Sequence, residues 1–201
     1  MISLVTGLYS YINQQHEYCI LTLGLAASGK TTIIEKIKNV YTGKPGMDPA
    51  SIQPTIGLNI RNINIGKHRL KFMDLGGDDE LHEIWKSYYT SCHGIMFIVD
   101  TCKPEILTKA MTTFENLMKS EELDGIPVAI LGNKYDSENS LLPLEILKEN
   151  VNKMADIVDN RSLHVFPVSG YTGDGLKYAT NWMHQRMVER KDVKPPTIIK
   201  S

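Results

Sequence analysis

The sequence predicts an α/β domain with a mostly parallel six-stranded sheet, one antiparallel edge strand and helices on both faces. Three observations carry this expectation. Short apolar, β-branched runs alternate with stretches of helical spacing; one pair of runs is joined by a turn too short for a crossover helix; and a glycine-rich loop stands between the first run and the first helix.

The elements follow in order. A strand over Cys19 to Leu25 leads into a helix over Lys30 to Val40. The runs Leu58 to Ile65 and Leu70 to Leu75 meet at Gly66-Lys67, which makes them an antiparallel hairpin at a sheet edge. Helical spacing returns over Asp79 to Tyr89. Then come a strand over Ile95 to Asp100, a helix over Pro104 to Ser120, a strand over Val128 to Leu131, a helix over Leu144 to Met154, a strand over Leu163 to Val168 and a helix over Leu176 to Arg190. The segment beyond Arg190 holds Pro195-Pro196 and reads as an extended, poorly ordered end. At the front, Ile2, Leu4, Val5, Leu8, Tyr9, Tyr11 and Ile12 fall on one side of a helix, with Ser3, Thr6, Gly7, Ser10 and Asn13 on the other. The expected organisation is an amphipathic helix over 1–16, a single domain over 17–190 and a flexible tail over 191–201.

Composition narrows the function. With 22 basic and 23 acidic residues the formal net charge is −1, which argues against a basic groove for nucleic acid. The three cysteines, Cys19, Cys92 and Cys102, are scattered without a Cys-x-x-Cys pair and fit a reduced, cytoplasmic compartment. No apolar run approaches the roughly 20 residues of a membrane-spanning helix, and neither a secretory signal nor a prenylation box is evident.

The chemistry concentrates in two motifs. Gly24-Leu25-Ala26-Ala27-Ser28-Gly29-Lys30-Thr31 matches G-x-x-x-x-G-K-[ST] in the strand-to-helix setting that its mechanism requires. Gly24 and Gly29 permit the tight backbone path, and the amides from Ala27 to Thr32, at the positive end of the following helix, form a nest for phosphate oxygens. Lys30 adds a point charge. The Thr31 hydroxyl can reach Mg²⁺, with Asp74 placed to hold the ion through water. Such a loop also serves ATPases and kinases, and Asn133-Lys134-Tyr135-Asp136 decides between them. A carboxylate at Asp136 can accept from N1–H and the exocyclic amine of guanine, whereas adenine offers neither donor there.

On these residues the chain resembles the Ras superfamily of GTPases, and within it the Arf and Arf-like branch, from Glu17 to Arg190. Pro54-Thr55-Ile56-Gly57 resembles switch I of that branch, which implies that Thr55 coordinates Mg²⁺ and senses the γ-phosphate of GTP. Asp74-Leu75-Gly76-Gly77 resembles switch II, which implies that the Gly77 amide donates to the γ-phosphate. Ser169-Gly170-Tyr171 stands at the third guanine-contacting loop, with Gly170 and Tyr171 in place of Ala and Lys. Glu17-Tyr18-Cys19-Ile20-Leu21, Gly57-Leu58-Asn59-Ile60, Tyr88-Tyr89 and Cys92-His93-Gly94 are similar to the Arf-related subgroup of the Golgi. The resemblance implies a P-loop small G domain, GTP/GDP and Mg²⁺ as ligands, and monomeric partnership with an exchange factor, an activating protein and effectors through Leu58, Met73 and Tyr88. It also implies a cytoplasmic protein, peripheral on Golgi or trans-Golgi membranes in the GTP state.

Two departures qualify it. The branch places Gln after the Gly-Gly pair to orient the attacking water; this chain has Asp78, and an ionised carboxylate accepts hydrogen bonds but cannot donate to the phosphate. Hydrolysis slower than in a Gln-bearing relative is expected, with an arginine supplied in trans. The alternative is a binding module held in one nucleotide state. Asp78 also suits the N-cap of the following helix. The second departure is Ile2, where myristoylated relatives carry glycine; with no Lys or Arg before Lys30, the uncharged helix is a weak anchor, and N-terminal acetylation and a membrane receptor are implied instead. Trp85 has helical spacing with Tyr88 and fits a core position, and His82 and His93 read as surface or packing residues.

Overall fold

The computed structural model describes residues 14–158 and 161–200. Strand β1 (Gln14–Leu23) lies at the centre of a sheet ordered β2-β3-β1-β4-β5-β6, with β2 (Leu58–Ile65), β3 (His68–Leu75), β4 (Gly94–Asp100), β5 (Val128–Asn133) and β6 (Leu163–Pro167). Pairing is parallel from β3 through β6, while β2 runs antiparallel to β3 from Leu58↔Leu75 to Ile65↔His68. Gly66, at φ 58, supplies the left-handed position of the connecting turn.

Alternation divides the buried residues between the sheet's faces. Cys19, Leu21 and Leu23 of β1 join Ile95, Phe97 and Val99 of β4 against α3 (Leu107–Met118) and α4 (Leu144–Asn152). Tyr18 and Ile20, with Met96 and Ile98, face α1 (Lys30–Thr42) and α5 (Leu176–Glu189). In α3 the buried Ala110, Met111, Phe114, Leu117 and Met118 form one helical stripe. Gly94 lets α5 approach β4 closely, because a Cβ there would lie 2.5 Å from the Met183 sulfur.

Three expected boundaries change. The helix over Asp79 to Tyr89 is broken into a 3₁₀ turn (Asp79–Leu81), the short α2 (His82–Lys86) and a second 3₁₀ turn (Tyr89–Ser91). A five-residue helix is below the length that sustains itself, so its side-chain anchors hold it. The expected helix over 1–16 lies outside the described residues as far as residue 13, and Gln14, Gln15 and His16 belong to β1. In place of a flexible end, Thr197–Lys200 forms β7, antiparallel to β1 from Gln14↔Lys200 to Glu17↔Thr197. The sheet therefore gains a seventh, short strand.

Side chains fix this tail. His93 Nδ1 accepts from the Cys19 amide at 3.0 Å, and Nε2 lies 3.0 Å from the Pro195 carbonyl, so only the neutral tautomer protonated at Nε2 makes both bonds. Lys194 Nζ donates to the Thr90 carbonyl at 2.8 Å. Burial lowers the His93 pKa, so the folded chain binds this proton less readily than the unfolded chain, and its stabilising contribution declines as pH falls below the ordinary histidine value. Accordingly, Thr197, Ile198 and Ile199 should lose amide-exchange protection between pH 7 and pH 5, and His93→Ala should show that loss already at pH 7. Equal protection factors in both proteins at both pH values would refute the tether.

Candidate functional site

The carboxyl ends of β1, β3, β4 and β5 open into one cleft, as expected where connections on a parallel sheet diverge. The loop from Gly24 to Thr31 forms its floor. Gly24 adopts φ 138 and Gly29 φ 94, and a Cβ on Gly24 would collide with the Ile98 carbonyl. Ala27 accepts a left-handed φ of 58 between them. Ala26 and Ala27 border the cleft, Thr32 is half-buried in its wall, and Ser28 turns inward, its hydroxyl unpartnered among the described residues. The amides of Lys30, Thr31 and Thr32 open α1 and have no acceptors within the helix.

Lys30 is only 6% exposed, and its ammonium donates to the Gly24 and Leu25 carbonyls, each at 2.9 Å. Burial lowers its pKa to about 8, against the pull of Asp74 and Asp78. Beside it, Thr31 Oγ1 donates to Asp74 Oδ2 at 2.6 Å, Thr55 Oγ1 donates to the same oxygen at 3.3 Å, and the two hydroxyls are 3.0 Å apart. Asp74 is 1% exposed, and its other oxygen, Oδ1, has no partner among the described residues. Burial raises its pKa, opposed by Thr31, Lys30 and Thr55. Two hydroxyls meeting at an under-satisfied buried carboxylate fit a hard divalent cation such as Mg²⁺. The predicted metal residues Thr31, Thr55 and Asp74 are thus brought together.

Gly76 and Gly77 bring the segment after β3 against this floor. The Gly76 amide donates to the Gly57 carbonyl at 3.0 Å, and a Cβ on Gly77 would lie 2.5 Å from the Gly24 carbonyl. Trp85 is buried as expected; its indole donates to the Gly76 carbonyl at 3.0 Å, and His82 Nε2 lies 3.3 Å from the Gly77 carbonyl. Asp78 is exposed and borders the cleft with Gly77. It occupies the N-cap position of the 3₁₀ turn, but its side chain caps nothing and only its carbonyl accepts, from Leu81.

The other end of the cleft is bordered by Asn133, Lys134, Asp136, Gly170 and Tyr171. Asn133 is buried and braces three loops, donating to the Ser28 carbonyl at 2.8 Å and accepting from the Gly170 amide at 2.9 Å. Lys134, at φ 66, pairs with the buried Asp100 at 2.7 Å and reaches the Ala27 carbonyl at 3.3 Å. Asp136 is exposed, and Ser169 Oγ accepts from the Tyr171 and Thr172 amides at 3.1 and 2.8 Å. Sequence reasoning missed Asp100 and Thr101, whose hydroxyl donates to the Asn133 carbonyl at 2.9 Å; both lie at the end of β4 with no motif to mark them. The two ends enclose about 370 and 290 Å³, the scale of a small-molecule site.

One expectation about the surface is corrected. Met73 is 4% exposed with its sulfur 3.1 Å from Cys19 Sγ, because its position on β3 points into the core, so it is not part of an exposed patch. Leu58 and Tyr88 are half-buried against that core, and the exposed apolar residues nearby in sequence are Ile56, Ile60 and Ile84.

Fold and site together define a nucleotide-binding α/β domain of the small GTPase class. The ADP-ribosylation factor family model matches residues 4–187. The chain belongs to the ADP-ribosylation factor family, whose members are GTP-binding switches and GTP hydrolases. It is 39% identical over 198 residues to ADP-ribosylation factor-like protein 3 of Saccharomyces cerevisiae, covering 98% of each chain. It is 38% identical over 197 residues to ADP-ribosylation factor-related protein 1 of Bos taurus, covering 98% of this chain and 97% of the relative. The fold is similar to that of the Arl6 BBS3 small GTPase of Trypanosoma brucei bound to the nucleotide analogue GppNp, with TM-score 0.73, 22% identity and coverage of 86% and 98%.

Proposed function

We propose that the chain is a Mg²⁺-dependent switch that alternates between GDP and GTP to recruit partners in Golgi membrane traffic, with slow hydrolysis as its off-step. The observation that carries this reading is the meeting of Thr55 with Thr31 and Asp74 beside Lys30, at one end of a cleft whose other end presents Asp136. Thr55 belongs to a loop that reaches the phosphate floor through its hydroxyl, so the loop's position is tied to what that floor holds.

Thr31, Thr55 and Asp74 would hold Mg²⁺, which neutralises phosphate charge when bound. Lys30 and the first-turn amides of α1 bind phosphate oxygens, and the Gly77 amide is the candidate donor to the γ-phosphate. Asp136 reads guanine through N1–H and the exocyclic amine, while Asp100 holds Lys134 in place. Asp78 borders the phosphates with its carboxylate free of a capping role; it can accept a hydrogen bond from water but repels phosphate charge. No arginine of the described residues lines the phosphate end, which supports an arginine supplied by an activating protein.

Partner docking is assigned to Leu58 and Tyr88 with Ile56, Ile60 and Ile84, and reversible membrane contact to the N-terminal segment. The sequence resemblance to the Arf-related subgroup implies a Golgi location and action as a monomer, and among the described residues no helix is long and apolar enough to cross a membrane. The free Asp78 carboxylate also favours a second reading, a GTP-held binding module.

Single-turnover hydrolysis of Mg²⁺-GTP tests the off-step. Asp78→Gln should hydrolyse about tenfold faster or more, the effect of roughly 1.4 kcal/mol in the barrier. Equal rates would refute the assigned handicap, whereas no measurable turnover in the wild type together with copurifying GTP would favour the binding module.

A further inference from the structure

We propose that Glu35 is a positioning residue for the triphosphate-bound state: through Arg61 and the Met47 amide it holds both flanks of the Thr55 loop against α1, so that Thr55 meets Mg²⁺. The inference rests on the Mg²⁺-GTP reading above and adds a determinant of the preference for GTP over GDP. Glu35 is only 2% exposed, among the buried Ile33, Ile34 and Ile37 of the same helix. A carboxylate in such surroundings is costly unless it is paired, and its partners show what it holds. Oε1 accepts from Arg61 Nε of β2 at 2.7 Å. Oε2 accepts from the Met47 amide at 3.4 Å, with Lys38 Nζ 3.7 Å away. Burial pushes the Glu35 pKa up, but Arg61, Lys38 and the Met47 amide outweigh it, so the group is held below its ordinary value and is ionised at neutral pH.

Residues 43–57, which join α1 to β2, form no helix or strand apart from a 3₁₀ turn (Pro49–Ser51). Thr55 therefore takes its place from its flanks. Glu35 grips Met47 on one side of it and Arg61 on the other. The loop also packs closely on the helix, since a Cβ on Gly46 would lie 2.9 Å from the Glu35 carbonyl. Thr31 and Glu35 stand at i and i+4, so one ridge of α1 carries both the hydroxyl that meets Thr55 at 3.0 Å and the carboxylate that fixes its flanks. Without the carboxylate both flanks are released, and Thr55 must be ordered when the ligand binds. That cost falls on the ligand whose γ-phosphate and cation use Thr55, hence on GTP more than on GDP.

The test uses the full chain loaded with fluorescent GDP and displaced by GDP or by the non-hydrolysable analogue GppNp across a Mg²⁺ titration. Glu35→Ala should weaken GppNp about tenfold relative to GDP and raise the Mg²⁺ concentration needed for half-maximal GppNp binding. Glu35→Gln, which keeps an acceptor for Arg61, should recover part of that ratio. On a Thr55→Ala background, Glu35→Ala should leave the ratio unchanged, because Glu35 acts through Thr55. Thermal unfolding is followed for each variant, and if Glu35→Ala does not fold, Arg61→Ala carries the same comparisons. Unchanged binding, equal weakening of GDP and GppNp, or a further loss of ratio on the Thr55→Ala background would overturn the positioning role. A wild type with no Mg²⁺-dependent binding of GppNp would instead defeat the Mg²⁺-GTP reading itself.

Discussion

Asp136→Ala should abolish the preference for guanine over adenine and weaken GTP binding by about two to four orders of magnitude. Asp136 stands exposed at the base end of the cleft, beside Lys134 and Asn133, whose polar groups are engaged with other parts of the protein. Two hydrogen bonds from guanine to a carboxylate contribute about 1.5–3 kcal/mol each. Together they correspond to roughly 3–6 kcal/mol, and each 1.4 kcal/mol is tenfold. Alanine offers no acceptor, so GTP should fall toward the affinity of ATP while ATP changes little. Because Asp136 makes no bracing contact among the described residues, the melting temperature should be nearly unchanged. Isothermal titration with both nucleotides, alongside thermal unfolding, checks these outcomes. Retained preference in the variant would show that guanine is selected elsewhere.

The second large effect is expected at Lys30. Lys30→Ala removes the buried cation of the phosphate floor and leaves the Gly24 and Leu25 carbonyls without their donor. Removing two charge-assisted hydrogen bonds to phosphate again implies about two to four orders of magnitude in GTP affinity, and the unpaired carbonyls should lower thermal stability as well. The wild type carries a pH signature of the same residue. Its ammonium titrates near pH 8 in the free protein, and phosphate binding favours the charged form. GTP affinity should therefore be flat below pH 8 and fall as pH rises above it, by up to about tenfold per unit. Lys30→Ala should show no such slope up to about pH 8.5, below the range in which guanine N1–H itself titrates. A wild-type affinity independent of pH between about 7 and 8.5 would contradict the buried ammonium.

Much of this site was legible in the sequence because its chemistry is local. The phosphate loop carries its glycines, lysine and threonine within one turn, and Asn133 to Asp136 follow an apolar strand directly. Thr55 and Asp74 are far from Thr31 in sequence; Asp74 is marked by its place at a strand end before Gly76-Gly77, whereas the part of Thr55 was implied by family resemblance. What remained hidden depends on tertiary contacts. Asp100 ends a fully buried strand, and nothing in its neighbours announces that it will clamp Lys134. Met73 is buried by strand direction, which its residue type does not reveal. The tail strand has four residues after two prolines, too short for a periodic signal, and it forms because His93 and the start of β1 meet it. The helix after Gly77 has suitable spacing throughout, but Trp85 anchors it to Gly76 and the backbone breaks around that anchor.

The central claim is a guanine-specific, Mg²⁺-dependent nucleotide switch, and competition at equilibrium tests it most directly. The full chain is loaded with fluorescent GDP, and GDP, GTP and ATP are titrated against it with Mg²⁺ present and again after chelation. The account predicts that GDP and GTP displace the probe at concentrations at least about a thousandfold below ATP, and that chelation weakens both. Displacement by ATP at concentrations similar to GTP, or affinities unaffected by removing Mg²⁺, would contradict it.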